Sequence, residues 1–177
     1  MTSSEPSMRT LLILKSYHHK NTEKIAEAMA TVLDAPILSP HDVRIEEIAR
    51  NDLIGFGSGI YDGKHHRALL ELADRLPATT GKSVFLFSTS AIVNDEKVAK
   101  DHSALREMLQ RKGYVIVDEF ACKGFNTNSF LRYFGGLNKG RPNVKDLAKA
   151  EEFARGLRRN MSGQNIQSEP LPNIRQG

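Results

Sequence analysis

The chain has 177 residues, 40% of them hydrophobic and 26% charged, with a formal net charge of +4. That length suits one domain with a sizeable core, and the balance is that of an ordinary globular protein. A single cysteine excludes an intrachain disulfide, and basic residues scattered among acids (Arg44–Glu47, Glu151–Arg159) argue against nucleic acid as a partner.

Met1–Ser7 is polar and lacks the apolar stretch of a secretory signal, and no run approaches the roughly 20 apolar residues of a membrane span. The expectation is a cytoplasmic protein with no membrane partner. Thr10-Leu11-Leu12-Ile13-Leu14 is a short apolar run that suits a strand buried on both faces. The polar stretch Ser16–Thr22 follows. Ile25, Met29, Val32 and Leu33 then mark one face of a helix that Asn21 or Thr22 can cap.

Ala35–Leu38 reads as a second strand, and His41–Arg50 as a poor, abbreviated helix. Asp52–Gly57 is a third strand running into the turn-rich loop Ser58–Gly63. The next helix carries Leu69, Leu72, Ala73 and Leu76 inward and ends at Pro77. Ser83–Phe87 is the fourth strand, followed by Ser88-Thr89-Ser90. Asp101–Lys112 is a helix stopped by Gly113, and Tyr114–Cys122 the fifth strand region, where Cys122 reads as a small core side chain. A long loop, Lys123–Arg141, leads to a final helix capped by Asn143, with Leu147, Ala150, Ala154 and Leu157 on its apolar face. Asn160–Gly177 is polar and reads as tail.

Alternation of strands and helices implies a doubly wound α/β fold. Its five-stranded parallel sheet takes the order 2-1-3-4-5, with right-handed crossovers and helices on both faces. Ligands of such sheets bind outside the carboxyl ends of the strands. Three loops meet there: Ser16–Thr22, Ser58–Gly63 and Ser88–Ala91. The first opens a helix, whose free N–H groups favour a phosphate; Ser16, Asn21 and Thr22 add donors, and His18 and Lys20 add charge. In the second, Tyr61 between Gly59 and Gly63 suits a planar heterocycle. The third offers hydroxyls to the edge of a ring.

Ser16-Tyr17-His18-His19-Lys20-Asn21-Thr22-Glu23 resembles the flavodoxin phosphate loop, and Asp52–Tyr61 is similar to the strand and flavin loop of flavodoxin-domain proteins. Gly124-Phe125 and Gly135–Pro142 are similar to the last loop of a flavodoxin-like group. The resemblance covers Met8 to Arg158. It implies FMN as cofactor. By position, Ser16, His18, Lys20, Asn21 and Thr22 hold the phosphate. Ser58, Gly59, Ile60, Tyr61, Asp62 and Gly63 flank the ring, with Tyr61 stacking. Ser88, Thr89 and Ser90 line its other side, and Gly124 and Phe125 close the site. It also implies an FMN-binding domain over 8–158, and the polar composition on either side gives disordered segments at 1–7 and 159–177. Three features depart from the flavodoxin pattern. The phosphate loop is one residue longer, with His18-His19-Lys20 where small residues are common. The chain is basic where electron-carrier flavodoxins are acidic. The second helix is reduced, which opens one side of the site or offers a surface for dimerisation.

Other motifs carry less. His18-His19 and His65-His66 lack further ligands for a metal. Gly81-Lys82-Ser83 has Leu76 where a P-loop needs glycine and precedes a strand. A phosphoacceptor domain of this fold needs acids where Lys15-Ser16 stand. No nucleophile–base pair or carboxylate pair stands out, so any chemistry belongs to the flavin. Gly63 suggests that the Asp62–Gly63 peptide flips as the flavin is reduced, shifting its one-electron potentials. The expected function is electron transfer through bound FMN to a redox partner protein or a small-molecule acceptor. The alternatives are an NAD(P)H-dependent FMN or quinone reductase, and an interaction domain of this fold that has lost its flavin.

Overall fold

The computed structural model describes residues 8–17, 20–125 and 136–167. In chain order the elements are β1 (Thr10–Lys15), α1 (Asn21–Leu33), β2 (Ile37–Leu38), α2 (Ile45–Arg50), β3 (Leu53–Tyr61), β4 (Lys64–His65), α3 (Arg67–Arg75), β5 (Lys82–Ser90), α4 (Asp95–Arg111), β6 (Tyr114–Lys123) and α5 (Val144–Gln167). The sheet runs β2-β1-β3-β5-β6, all parallel, with β4 antiparallel on β3. Setting the two-residue β4 aside, this is the order expected from the sequence.

Period-two alternation sends neighbouring side chains to opposite faces of the sheet. Leu11, Ile13, Ile54, Phe56, Val84 and Leu86 pack with Leu69 and Leu72 of α3 and Leu105 and Leu109 of α4. Leu12, Leu53, Phe85 and Phe87 pack on the other face with Ile25 and Met29 of α1 and Ala150, Ala154 and Leu157 of α5. Gly55 and Gly57 face the second layer beside their register partners Phe85 and Phe87. The phenylalanine rings lie across the bare glycines, and a Cβ at either would drive into the facing ring. No helix among the described residues is long and apolar enough to cross a membrane.

Several boundaries differ from the sequence reading, each for a local reason. The cap of α1 is Lys20, at φ 51°, and not Asn21 or Thr22; its side chain makes no capping bond. α4 starts at Asp95, six residues before the expected Asp101, because the Asn94 side chain accepts the Lys97 N–H at 2.8 Å. Asn143 does cap α5, accepting from Lys145 N and Asp146 N, while Asp146 accepts from Asn143 N. That helix continues to Gln167, so 159–167 is helix and not tail. The loop Ser58–Gly63 is mostly strand. β3 runs to Tyr61, turns at Asp62-Gly63 and returns as β4, with Tyr61 opposite Lys64. Asp62 at φ 49° and Gly63 at φ 72° make this a two-residue hairpin of the mirror-image type, which matches strand twist and favours Asp-Gly. Likewise β5 reaches Ser90. The expected disordered segments at 1–7 and 168–177 lie outside the described residues.

Candidate functional site

The carboxyl ends of β1, β3, β5 and β6 surround an open cleft at the edge of the sheet. Ser16, Asn21 and Thr22 line it from the start of α1, Gly59, Ile60 and Tyr61 from β3, Thr89 and Ser90 from β5, and Gly124 and Phe125 from beyond β6. Tyr17 and Ala91 join them. His18 lies outside the described residues. Lys20 is exposed, and its ammonium sits 3.4 Å from Glu23 rather than over the pocket.

Polar side chains knit the walls together. Thr22 and Thr89 hydroxyls share a hydrogen bond of 2.8 Å. One hydroxyl donates to the other, so one hydroxyl hydrogen of the pair is left for a ligand. Asn21 Nδ2 donates to Phe125 O at 2.8 Å. A carbonyl only accepts, so this bond fixes the amide's orientation. Asn21 Oδ1 is then buried and unpaired among the described residues. Gly124 sits against the same amide, and a Cβ there would stand 2.8 Å from Nδ2. The last loop braces this corner: Gly124 N donates to Ser90 O, Phe125 N to Arg141 O, and Asn138 Nδ2 to Ala91 O.

Tyr61 folds its ring across Gly59, where a Cβ would meet it at 3.1 Å. His66 stands between the two tyrosines of the mouth, 5.4 Å from Tyr61 and 5.3 Å from Tyr17, and Lys15 Nζ lies 4.6 Å over the Tyr17 ring. His66 Nδ1 accepts from Ala68 N at the start of α3, which leaves Nε2 to carry the hydrogen of the neutral ring. Burial and then the Lys15 charge lower its pKa.

Four residues expected against the ring are elsewhere. Ser58 and Ser88 are register partners one residue before Gly59 and Thr89, so alternation turns them to the opposite face. Ser58 Oγ accepts the His66 N–H at 2.9 Å and meets His65 Nδ1 at 3.0 Å. Ser88 Oγ meets His102 Nε2 at 2.8 Å. Asp62 and Gly63 form the hairpin tip, outside the pocket lining. A flip of their peptide would place Asp62 in the first position of the other mirror turn, which only glycine occupies freely. The strain would fall on Asp62, and the freedom of Gly63 does not relieve it.

Behind Ser88 lies a chain that the sequence reading missed. His102 Nδ1 meets Glu119 Oε2 at 2.7 Å, and Arg106 reaches both Glu119 oxygens, at 2.5 and 2.8 Å. Burial raises the Glu119 pKa, but the bonds from His102 and Arg106 outweigh it and hold the carboxyl at about 2. These are the distances of a serine–histidine–carboxylate triad. Ser88 is 1% exposed and His102 0%, so no substrate reaches the hydroxyl and the chain is an internal brace. A signal existed: His102 sits three residues before Leu105 and seven before Leu109, on the inward stripe of α4.

Residues 12–136 match a family described as Flavodoxin domain. An uncharacterized protein of Methanocaldococcus jannaschii is 44% identical over 153 residues, covering 86% of this chain and 100% of the relative. Oxidised flavodoxin 2 from Bacillus cereus shares the fold with a TM-score of 0.65 at 19% identity, over 86% of this chain and 99% of its own. A WrbA-like flavodoxin from Agrobacterium tumefaciens has a TM-score of 0.60 at 17% identity, over 88% and 98%. The flavodiiron protein of Giardia intestinalis contains the fold in 38% of its chain, matching 92% of this one with a TM-score of 0.57 at 15% identity. The chain belongs to the flavodoxin-domain family.

Proposed function

We propose that the chain binds FMN in the pocket at the carboxyl edge of the sheet and passes electrons through it. The observation that carries this reading is the pocket's donor and acceptor set. Asn21 Oδ1 is a buried acceptor without a partner among the described residues, beside a threonine pair with one hydrogen to give. A sugar-alcohol chain, each hydroxyl both donor and acceptor, satisfies the two together. The start of α1 supports a phosphate: its cap residue offers no side-chain bond to the first N–H groups, which therefore remain for an anion. Asn21 serves the polyol rather than the phosphate in this reading, because its nitrogen is committed to Phe125 O. Tyr61, the bare backbone of Gly59 and the Ser90 oxygen form the wall for a flat ring.

Bound FMN would supply reversible electron transfer, and the chain supplies binding and exclusion of water from one side of the ring. Electrons would leave to a redox partner or small acceptor across the rim, where Tyr17 is 61% and Ile92 55% exposed. The test is to add FMN to apoprotein, follow quenching of its fluorescence, and titrate the complex reductively without oxygen. Stoichiometric quenching and reversible reduction are expected. A protein that leaves FMN fluorescence untouched overturns the reading.

A further inference from the structure

The hairpin that walls the pocket beside Tyr61 is held from beneath by a buried imidazole. His65 is 2% exposed, its Nδ1 lies against Ser58 Oγ, and its ring is 4.6 Å from the His102 ring. Ser58 Oγ also holds the His66 N–H, so one hydroxyl ties β3 to β4 and to the start of α3. We propose that His65 is the positioning residue that keeps the β3–β4 hairpin closed, and that a proton on His65 opens the hairpin and weakens flavin binding. The flavin half of this proposal rests on the FMN reading above; the hairpin half does not.

Both tautomers of His65 lead to the same charged form. If Nδ1 carries the hydrogen it donates to Ser58 Oγ, the serine hydrogen goes to Gly59 O at 2.7 Å, and Nε2 is bare. If Nε2 carries it, Nδ1 accepts from Ser58. Either way the imidazolium has a hydrogen on Nε2, and Nε2 is buried with no partner among the described residues. A buried charge without a partner is among the costlier defects a fold can hold, whereas β4 is only two residues long and, among the described residues, has β3 as its one strand partner and α4 packed against it. Opening the hairpin and hydrating the ring is the cheaper response.

The charged groups around the ring come from three elements. α4 contributes His102, Arg106 and the Lys97–Asp101 pair, β6 contributes Glu119, and His66 caps the start of α3. Glu119 alone favours a proton on His65, and it is already engaged by His102 and Arg106. Burial first, then His102, outweigh it and hold the His65 pKa well below 6.5.

The experiment uses the full chain and riboflavin, which lacks the phosphate that itself titrates at about pH 6. Affinity is read from fluorescence quenching between about pH 7.5 and about pH 5, with circular dichroism confirming the fold at each point. The wild type is expected to hold its affinity near neutrality. Below 6.5, once the protonated open form overtakes the closed one, affinity falls about tenfold per pH unit. His65→Gln keeps a partner for Ser58 but takes up no proton, so its profile is flat. A wild-type profile that stays flat while the fold is intact, or a His65→Gln profile as steep as the wild type, overturns the proposal. Proton NMR of the apoprotein reads the hairpin without any flavin. Tyr61 ring resonances are expected to move at the same midpoint as those of His65, and Tyr61 signals indifferent to that titration overturn the proposal even if flavin binds. Failure of riboflavin and FMN to bind at neutral pH would instead count against the flavin reading.

Discussion

Ser58 and Gly59 are adjacent on β3, and Ser88 and Thr89 are adjacent on β5, yet within each pair the two residues serve opposite purposes. Gly59 and Thr89 face an open pocket with unspent hydrogen-bonding capacity. Ser58 and Ser88 face a sealed network in which His102, Glu119 and Arg106 are all engaged. The difference teaches that polarity at a strand end does not by itself mark a binding site. One step of the pleat decides whether a hydroxyl meets ligand or brace.

The comparison is broken most strongly from the sealed side. Glu119→Gln removes the anion that joins His102 to Arg106, and about 2–3 kcal/mol of stability is expected to go with it, measured by urea unfolding. Gly57→Ala pushes a Cβ into the Phe87 ring and is expected to cost about 1–3 kcal/mol by the same measurement. On the pocket side, Asn21→Leu removes the acceptor without touching the network. FMN and riboflavin affinities should both fall about tenfold, a loss of about 1.4 kcal/mol, with urea stability less affected. A loss confined to FMN would return Asn21 to the phosphate. The smallest effect is expected for Gly59→Ala, where the Tyr61 ring need shift only by tenths of an ångström and flavin affinity drops severalfold.

Acid separates the Ser58 end of the sealed network from its Ser88 end. His65 has a folded pKa below its unfolded 6.5, so its neutral form contributes stability above 6.5 that is lost as pH falls from there. Glu119 has a folded pKa of about 2 against 4.5, so its contribution is complete above 4.5 and disappears between 4.5 and about 2. Urea midpoints collected against pH should show both windows in the wild type, and the upper one should shrink in His65→Gln to the share that His66 contributes.

The strand order and the faces of α1, α3 and α5 were legible because they rest on local periodicity, as Ile25 and Met29 or Leu69 and Leu72 show. β3 was read short, to Gly57, because Ser58, Gly59 and Gly63 look like turn residues, and no neighbouring residue in the chain gives a reason for Gly55 and Gly57 within the strand. Their reason for being glycine is Phe85 and Phe87, some thirty residues away, and no local window contains it. The pocket's loops were legible from hydroxyls and glycines after strands. Which hydroxyls turn inward was not, since placing the end of β3 at Gly57 leaves Ser58 without a face. The Asp62-Gly63 hairpin was present as a dipeptide signal and was overlooked because the strand had been ended before it.

The mirror turn at Asp62-Gly63 bears on how fast such a site could exchange electrons. The rate of transfer depends on how much the surroundings rearrange when charge arrives. In this chain the residue that would twist is an aspartate already at positive φ, followed by a glycine whose freedom comes one position too late. The turn beside Tyr61 therefore has no low-strain peptide flip open to it, so a ring bound there would meet the same turn in both oxidation states.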